Sequence, residues 1–135
     1  MFLLDTVILS ELRKKRRDPG VTSWISAADS GSVFLSVVTI GEIERGIERA
    51  RAQNDEFARE LALWLDGLLR LYADRLLPVT ISIARRWGRL SATLGHDGAD
   101  LLIAATALDH GLTVVTRNAK DFQRTGVDVL NCFSR

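Results

Sequence analysis

Phe2-Leu3-Leu4-Asp5-Thr6 puts three apolar residues in a row and stops on an acid and a hydroxyl. A run this short, apolar at consecutive positions, fits a strand buried on both faces of a parallel sheet. The pattern recurs downstream. Val33-Phe34-Leu35 is followed by Thr39-Ile40-Gly41-Glu42, and Leu112-Thr113-Val114-Val115-Thr116 is followed by Asp121. Strands are predicted at 2–5, 33–37, 76–79, 112–116 and 127–130. Helical segments fill the intervals. Asp5 or Thr6 caps one running to about Lys15, and Asp18-Pro19-Gly20 ends it and starts another through Trp24 and Ile25. Thr39 to Glu42 opens a third to about Ala52, and others cover 54–74, 81–94 and 99–109, the last stopped by Gly111. Strands alternating with helices imply right-handed parallel crossovers. The predicted fold class is α/β: a three-layer α/β/α sandwich around a central, mainly parallel sheet of about five strands.

With 135 residues and no repeat, linker or low-complexity tract, the chain reads as a single domain spanning 1–135. It is 47% hydrophobic and 26% charged, the composition of an ordinary globular protein. The net charge is +1, so no global field draws a polyanion and any basic surface is local. One candidate is the run Arg13-Lys14-Lys15-Arg16-Arg17; Arg85, Arg86, Arg89 and Arg117 are others. Cys132 is the only cysteine, which rules out an intramolecular disulfide and fits a reducing compartment. With no signal peptide and no apolar run of membrane-spanning length, the expectation is a cytoplasmic protein.

Four acids carry the functional signal: Asp5, Glu42, Asp100 and Asp121. Each has an ordinary explanation. Asp5 fits an N-cap, Thr39 with Glu42 fits a capping box, Asp100 fits the first turn of its helix, and Asp121 fits a turn cap before Phe122. Helix starts that follow strands lie at the carboxyl edge of a parallel sheet, so all four would share one crevice. Paired carboxylates repel by about 4 kcal/mol at 4 Å with an effective dielectric near 20. Capping explains each acid but not their convergence, whereas a bound cation explains both. Carboxylates suit Mg²⁺ or Mn²⁺, and no Cys/His spacing points to Zn²⁺. Metal-dependent phosphodiester chemistry follows as the first hypothesis. His96 and His110 are assigned to a surface loop and a helix C-terminus, and Trp24, Trp64 and Trp87 to core or interface.

The blocks Leu3-Leu4-Asp5-Thr6, Thr39-Ile40-Gly41-Glu42-Ile43, Gly98 to Ala107 and Val115-Thr116-Arg117-Asn118-Ala119-Lys120-Asp121-Phe122 together resemble the four motif blocks of PIN domains, and more narrowly those of VapC toxins of type II toxin–antitoxin systems. No block is specific alone; their order and spacing over residues 2 to about 130 are. The resemblance implies an endoribonuclease that cuts single-stranded or loop RNA with Mg²⁺, or Mn²⁺ as the alternative. It places Asp5 and Asp100 as principal metal ligands, and Glu42 as a water-mediated ligand or base. Asp121 joins them as the fourth catalytic acid, with Thr116 and Asn118 as supporting polar groups. Arg13, Lys14 and Arg117 become candidate substrate contacts. Many PIN domains carry Asp where this chain has Asn118, which removes one negative charge that Asp121 stands to replace. A VapB-like antitoxin wrapping the apolar faces of helices 39–52 and 54–74, and a homodimer, are also implied.

Two other classes compete. A non-catalytic α/β module for RNA or protein binding would use the acids as caps, but such a module gains nothing by gathering negative charge near RNA. An aspartyl-phosphate enzyme would need a second Asp two positions after Asp5, where this chain has Val7.

Overall fold

A computed structural model describes residues 1–135. The five predicted strands are present: β1 (Phe2–Leu4), β2 (Val33–Ser36), β3 (Leu76–Leu77), β4 (Thr113–Val115) and β5 (Val129–Leu130). They form one sheet in the order β3-β2-β1-β4-β5, every pair parallel. The first strand in sequence is thus the central one. The register sets Phe2 beside Val33 and Thr113, and Leu4 beside Val115. The helices are α1 (Thr6–Arg13), α2 (Pro19–Ala27), α3 (Val37–Arg51), α4 (Asp55–Leu71), α5 (Ile81–Leu94) and α6 (Ala99–His110).

Alternation along the strands divides the core in two. Leu4, Val33, Leu35 and Val115 face one side and pack with Ile8 and Leu9 of α1, Val21 of α2, Ile43 and Ile47 of α3, and Ala58, Leu65 and Leu68 of α4. Leu3 and Val114 face the other side and meet Ile103, Ala104 and Ala107 of α6 with Phe122 and Val127. Successive strand residues therefore feed opposite layers, and the sandwich follows from the period of two. Residues 101–107 are buried on nearly every side, which explains the almost continuous apolar run Leu101 to Leu108.

One local expectation is corrected. Helix α3 does not open on a Thr39–Glu42 capping box; it begins at Val37, and the Ser36 hydroxyl accepts the Val38 amide at 3.0 Å. The strand passes into the helix without a loop, so the serine ending β2 reaches the orphan amides first. Thr39 is then internal and fully buried, and Glu42 sits a turn further along with its carboxylate released from capping.

Candidate active site at the carboxyl edge of the sheet

The strand ends build the site. The Asp5 amide donates to the Val115 carbonyl at 2.9 Å, continuing the β1–β4 ladder one step, so the next residues on each strand, Asp5 and Thr116, emerge side by side. Thr116 is fully buried, and its hydroxyl donates to Asp5 Oδ2 at 2.8 Å while accepting the Asn118 amide at 3.0 Å. Asp5 Oδ1 accepts the Thr6 amide at 2.8 Å, so the expected N-cap is present. The Thr6 hydroxyl donates to Glu42 Oε1 at 2.6 Å and lies 3.3 Å from Thr39 Oγ1. Glu42 is thereby held by the hydroxyl that opens α1 after β1, and Asp5 by the hydroxyl that follows β4.

Asp100 enters from the second layer, in the first turn of α6, where the helix dipole favours an anion. Gly98 supplies no side-chain cap there; its amide donates to His96 Nδ1 at 3.3 Å. Asp121 lies in the short 3₁₀ turn Ala119–Asp121 and is exposed. The turn before Phe122 closes through the Ala119 carbonyl and the Phe122 amide, so Asp121 does not cap it with its side chain. Neither the Asp100 nor the Asp121 carboxylate has a hydrogen-bond or ion-pair partner in the fold.

Asp5, Thr6, Glu42, His96, Asp100, Asn118 and Asp121 line one open cleft of about 490 Å³. All four sequence-predicted acids thus meet, and Asn118 with them. The Asp5 carboxyl is pushed above its ordinary range, chiefly by burial and further by the charges of Glu42 and Asp100, against the lowering effect of the Thr116 and Thr6 hydrogen bonds. Its like-charged neighbours are close enough to be felt.

No three acidic, His or Cys side chains are already disposed around a single ion position. A hard ion such as Mg²⁺ does not require that, since it retains several waters and binds through one or two carboxylates. Two acids without internal partners beside one whose ionisation is opposed fit such an ion. The set holds no cysteine, and its one imidazole, His96, is exposed at the rim, which fits Zn²⁺ poorly.

The candidate phosphate contacts are more engaged than their sequence suggests. Lys14 pairs with Glu11 at 2.9 Å, Arg13 stacks on Phe57 at 5.3 Å, and Arg117 stacks on Phe133 at 4.7 Å. Arg13 nonetheless lines a groove with Thr6 and Glu42, so one end of the basic run borders the acidic cleft. Trp24 packs edge-on against Phe2, as expected of a core residue. The hydroxyls of Thr6 and Ser36 were not assigned these roles from sequence. The available signal was a hydroxyl residue at the end of an apolar strand run, Ser36 directly after Leu35 and Thr6 one residue beyond Leu4.

Residues 2–128 match the family described as PIN domain. The chain is 34% identical to VapC ribonuclease Y4jK of Sinorhizobium fredii, covering 97% of this chain and 96% of that protein. It is 32% identical to Toxin FitB of Neisseria gonorrhoeae, covering 97% of each. Among solved structures it is similar to FitAcB from Neisseria gonorrhoeae, with a TM-score of 0.84, 33% identity and 97% of each chain covered. It is also similar to FitAB bound to a DNA fragment, with a TM-score of 0.85, 30% identity, and 100% and 97% covered.

Proposed function

This chain belongs to the PIN-domain family, and from that premise we propose that it is the toxin of a toxin–antitoxin pair, an endoribonuclease that cuts single-stranded or loop RNA with Mg²⁺ or Mn²⁺. The observation that carries the reading is the convergence of Asp5, Glu42, Asp100 and Asp121, from four separate segments, on one cleft. Similarity over nearly the full chain to proteins named VapC ribonuclease and Toxin FitB supports it.

Asp5 and Asp100 would hold the metal, one fixed by the Thr116 hydroxyl and the other free of internal bonds. A divalent ion bound there supplies positive charge to the scissile phosphate and makes nearby water more acidic. Glu42, with Oε1 held by Thr6, accepts a proton from the attacking water at Oε2. Asp121 and Asn118 complete the polar wall, Asp121 restoring the charge that an amide at 118 lacks. Arg13, Lys14 and Arg117 serve as outer phosphate contacts.

The partner is a protein antitoxin. The groove lined by Arg13, Ile43, Phe57, Leu61 and Trp64 between α1, α3 and α4 opens beside Glu42 and gives it an apolar seat. Exposed Leu63, Leu71 and Ile81, at 71%, 65% and 82% exposure, supply apolar surface for a homodimer. No helix is long and apolar enough to cross a membrane, and the site of action assigned is the cytoplasm. The test is incubation of a mixed RNA pool with the purified protein in Mg²⁺, Mn²⁺ or EDTA. Metal-dependent fragments are expected; an intact pool in both metals would refute the reading.

A further inference from the structure

An acidic cleft repels the very polyanion it is meant to cut, so the affinity for RNA must come from cations beside it. Helix α5 is placed to provide them. It carries Arg85, Arg86 and Arg89 and no acidic residue. Arg86, Arg89, Leu90, Thr93 and Leu94 fall at helical spacing on one face and, with Leu108, Arg124 and Thr125, line a groove of about 290 Å³. Arg89 and Arg124 are exposed and meet no carboxylate within ion-pair distance; Arg86 reaches only Asp109, at 3.9 Å. Within the groove Arg86 and Arg89 are like charges at i,i+3, a spacing that weakens an isolated helix.

The groove adjoins the cleft along two chain segments. Leu94 lines the groove and His96 the cleft; Arg124 lines the groove and Phe122 the cleft. Two residues of chain span at most about 7 Å, roughly one nucleotide step of an extended strand. We propose that the Arg86–Arg89–Arg124 groove is a binding track for the phosphates of single-stranded RNA flanking the scissile bond. The track runs from the His96 side of the cleft back along α5 toward Arg86. The proposal rests on the reading of the cleft as an RNA phosphodiester site and adds the surface that holds the substrate and the side from which it enters. Unlike Arg13, Lys14 and Arg117, which are stacked or paired, Arg89 and Arg124 can meet phosphate without giving up an internal partner.

The experiment measures binding of a fluorescent twelve-nucleotide RNA in EDTA across a salt series, together with cleavage kinetics in Mn²⁺. The wild type is compared with Arg89→Gln/Arg124→Gln and with Arg89→Lys/Arg124→Lys. The Gln pair is expected to lower the slope of log K against log salt by about 1.4, at about 0.7 for each phosphate of a single strand that is no longer neutralised. It should weaken binding about tenfold, with the effect appearing in KM, and the Lys pair should restore the slope. An unchanged slope, an effect confined to kcat, or a change in oligomeric mass by light scattering on the Gln substitutions would overturn the track; the last would assign the groove to a second copy of the chain. If the wild type cleaves nothing in either metal, the nuclease reading fails, while the salt slope in EDTA still decides the track.

Discussion

The Thr116 hydroxyl stands between two chain segments of the site, donating to Asp5 Oδ2 at 2.8 Å and accepting the Asn118 amide at 3.0 Å. Because the Thr116 side chain is fully buried, no water takes the hydroxyl's place when it is removed. Thr116→Val keeps the shape of the side chain and leaves a carboxylate and an amide each short of a partner. A loss of about 1–3 kcal/mol in unfolding free energy is expected. Affinity for Mn²⁺, followed by calorimetric titration, should fall about tenfold or more, as for other residues that orient metal ligands. Unchanged Mn²⁺ affinity would remove Thr116 from the site's support.

Gly98 gives Asp100 its room. A Cβ at position 98 would lie 2.5 Å from Asp100 Oδ1 and 3.4 Å from His96 Nδ1. The obstructed atom is the end of a mobile side chain, so Gly98→Ala should cost little stability while turning the carboxylate out of place. The expected result is a melting temperature close to wild type with RNA cleavage reduced by about an order of magnitude or more, since small misplacements of reacting groups are costly. Equal activity would show that Asp100 can act from another rotamer.

Asp5 makes stability depend on pH in a defined direction. Its carboxyl is raised in the folded state above its ordinary 3.8, so below that value both folded and unfolded forms are protonated and it imposes no penalty. As pH rises through the raised value, the native state must ionise a group it prefers neutral, and stability falls. In EDTA, therefore, Asp5→Asn should gain on wild type as pH climbs from about 4 to 7 in denaturant titrations. Mn²⁺ at 100 times its Kd adds about 2.7 kcal/mol to the wild type and should reverse the order at pH 7. A wild-type advantage in EDTA that grew with pH would contradict the sign.

The C-terminal tail is clamped to α2 through a glycine. A Cβ at Gly20 would collide with the backbone carbonyl of Cys132 and lie 2.6 Å from the Ser134 amide, which itself donates to Asp18 Oδ2 at 2.9 Å. Backbone cannot rotate away, so Gly20→Ala must lift the tail and with it the Phe133 ring stacked on Arg117. A loss of about 1–3 kcal/mol and faster C-terminal proteolysis are expected. Unaltered melting would show that the tail contributes nothing to the fold.

The sheet was legible because its strands are buried on both faces, so Phe2-Leu3-Leu4, Val33-Phe34-Leu35 and Val114-Val115 appear as bare apolar runs needing no long-range information. The convergence of the acids followed from that sheet, since residues after parallel strands share an edge. Glu42 was misassigned locally: a capping box and an inward carboxylate have the same spacing, and only the competing hydroxyl of Ser36 decides between them. The Thr6–Glu42 bond joins residues 36 apart, and the arginine groove unites α5 with Arg124. Pairings of that kind depend on how layers pack and leave no periodic trace in sequence.

The proposed roles of Asp5 and Asp100 as the metal-holding pair of a phosphodiesterase centre stand or fall on whether cleavage needs both carboxylates and a metal. The most direct measurement is cleavage of a defined single-stranded RNA in Mn²⁺ by wild type, Asp5→Ala and Asp100→Ala, each confirmed folded by its melting transition. The expected result is cleavage by wild type that EDTA abolishes, and a loss of at least about a hundredfold in each variant. Folded variants that cut as fast as wild type, or cleavage that persists in EDTA, would contradict it.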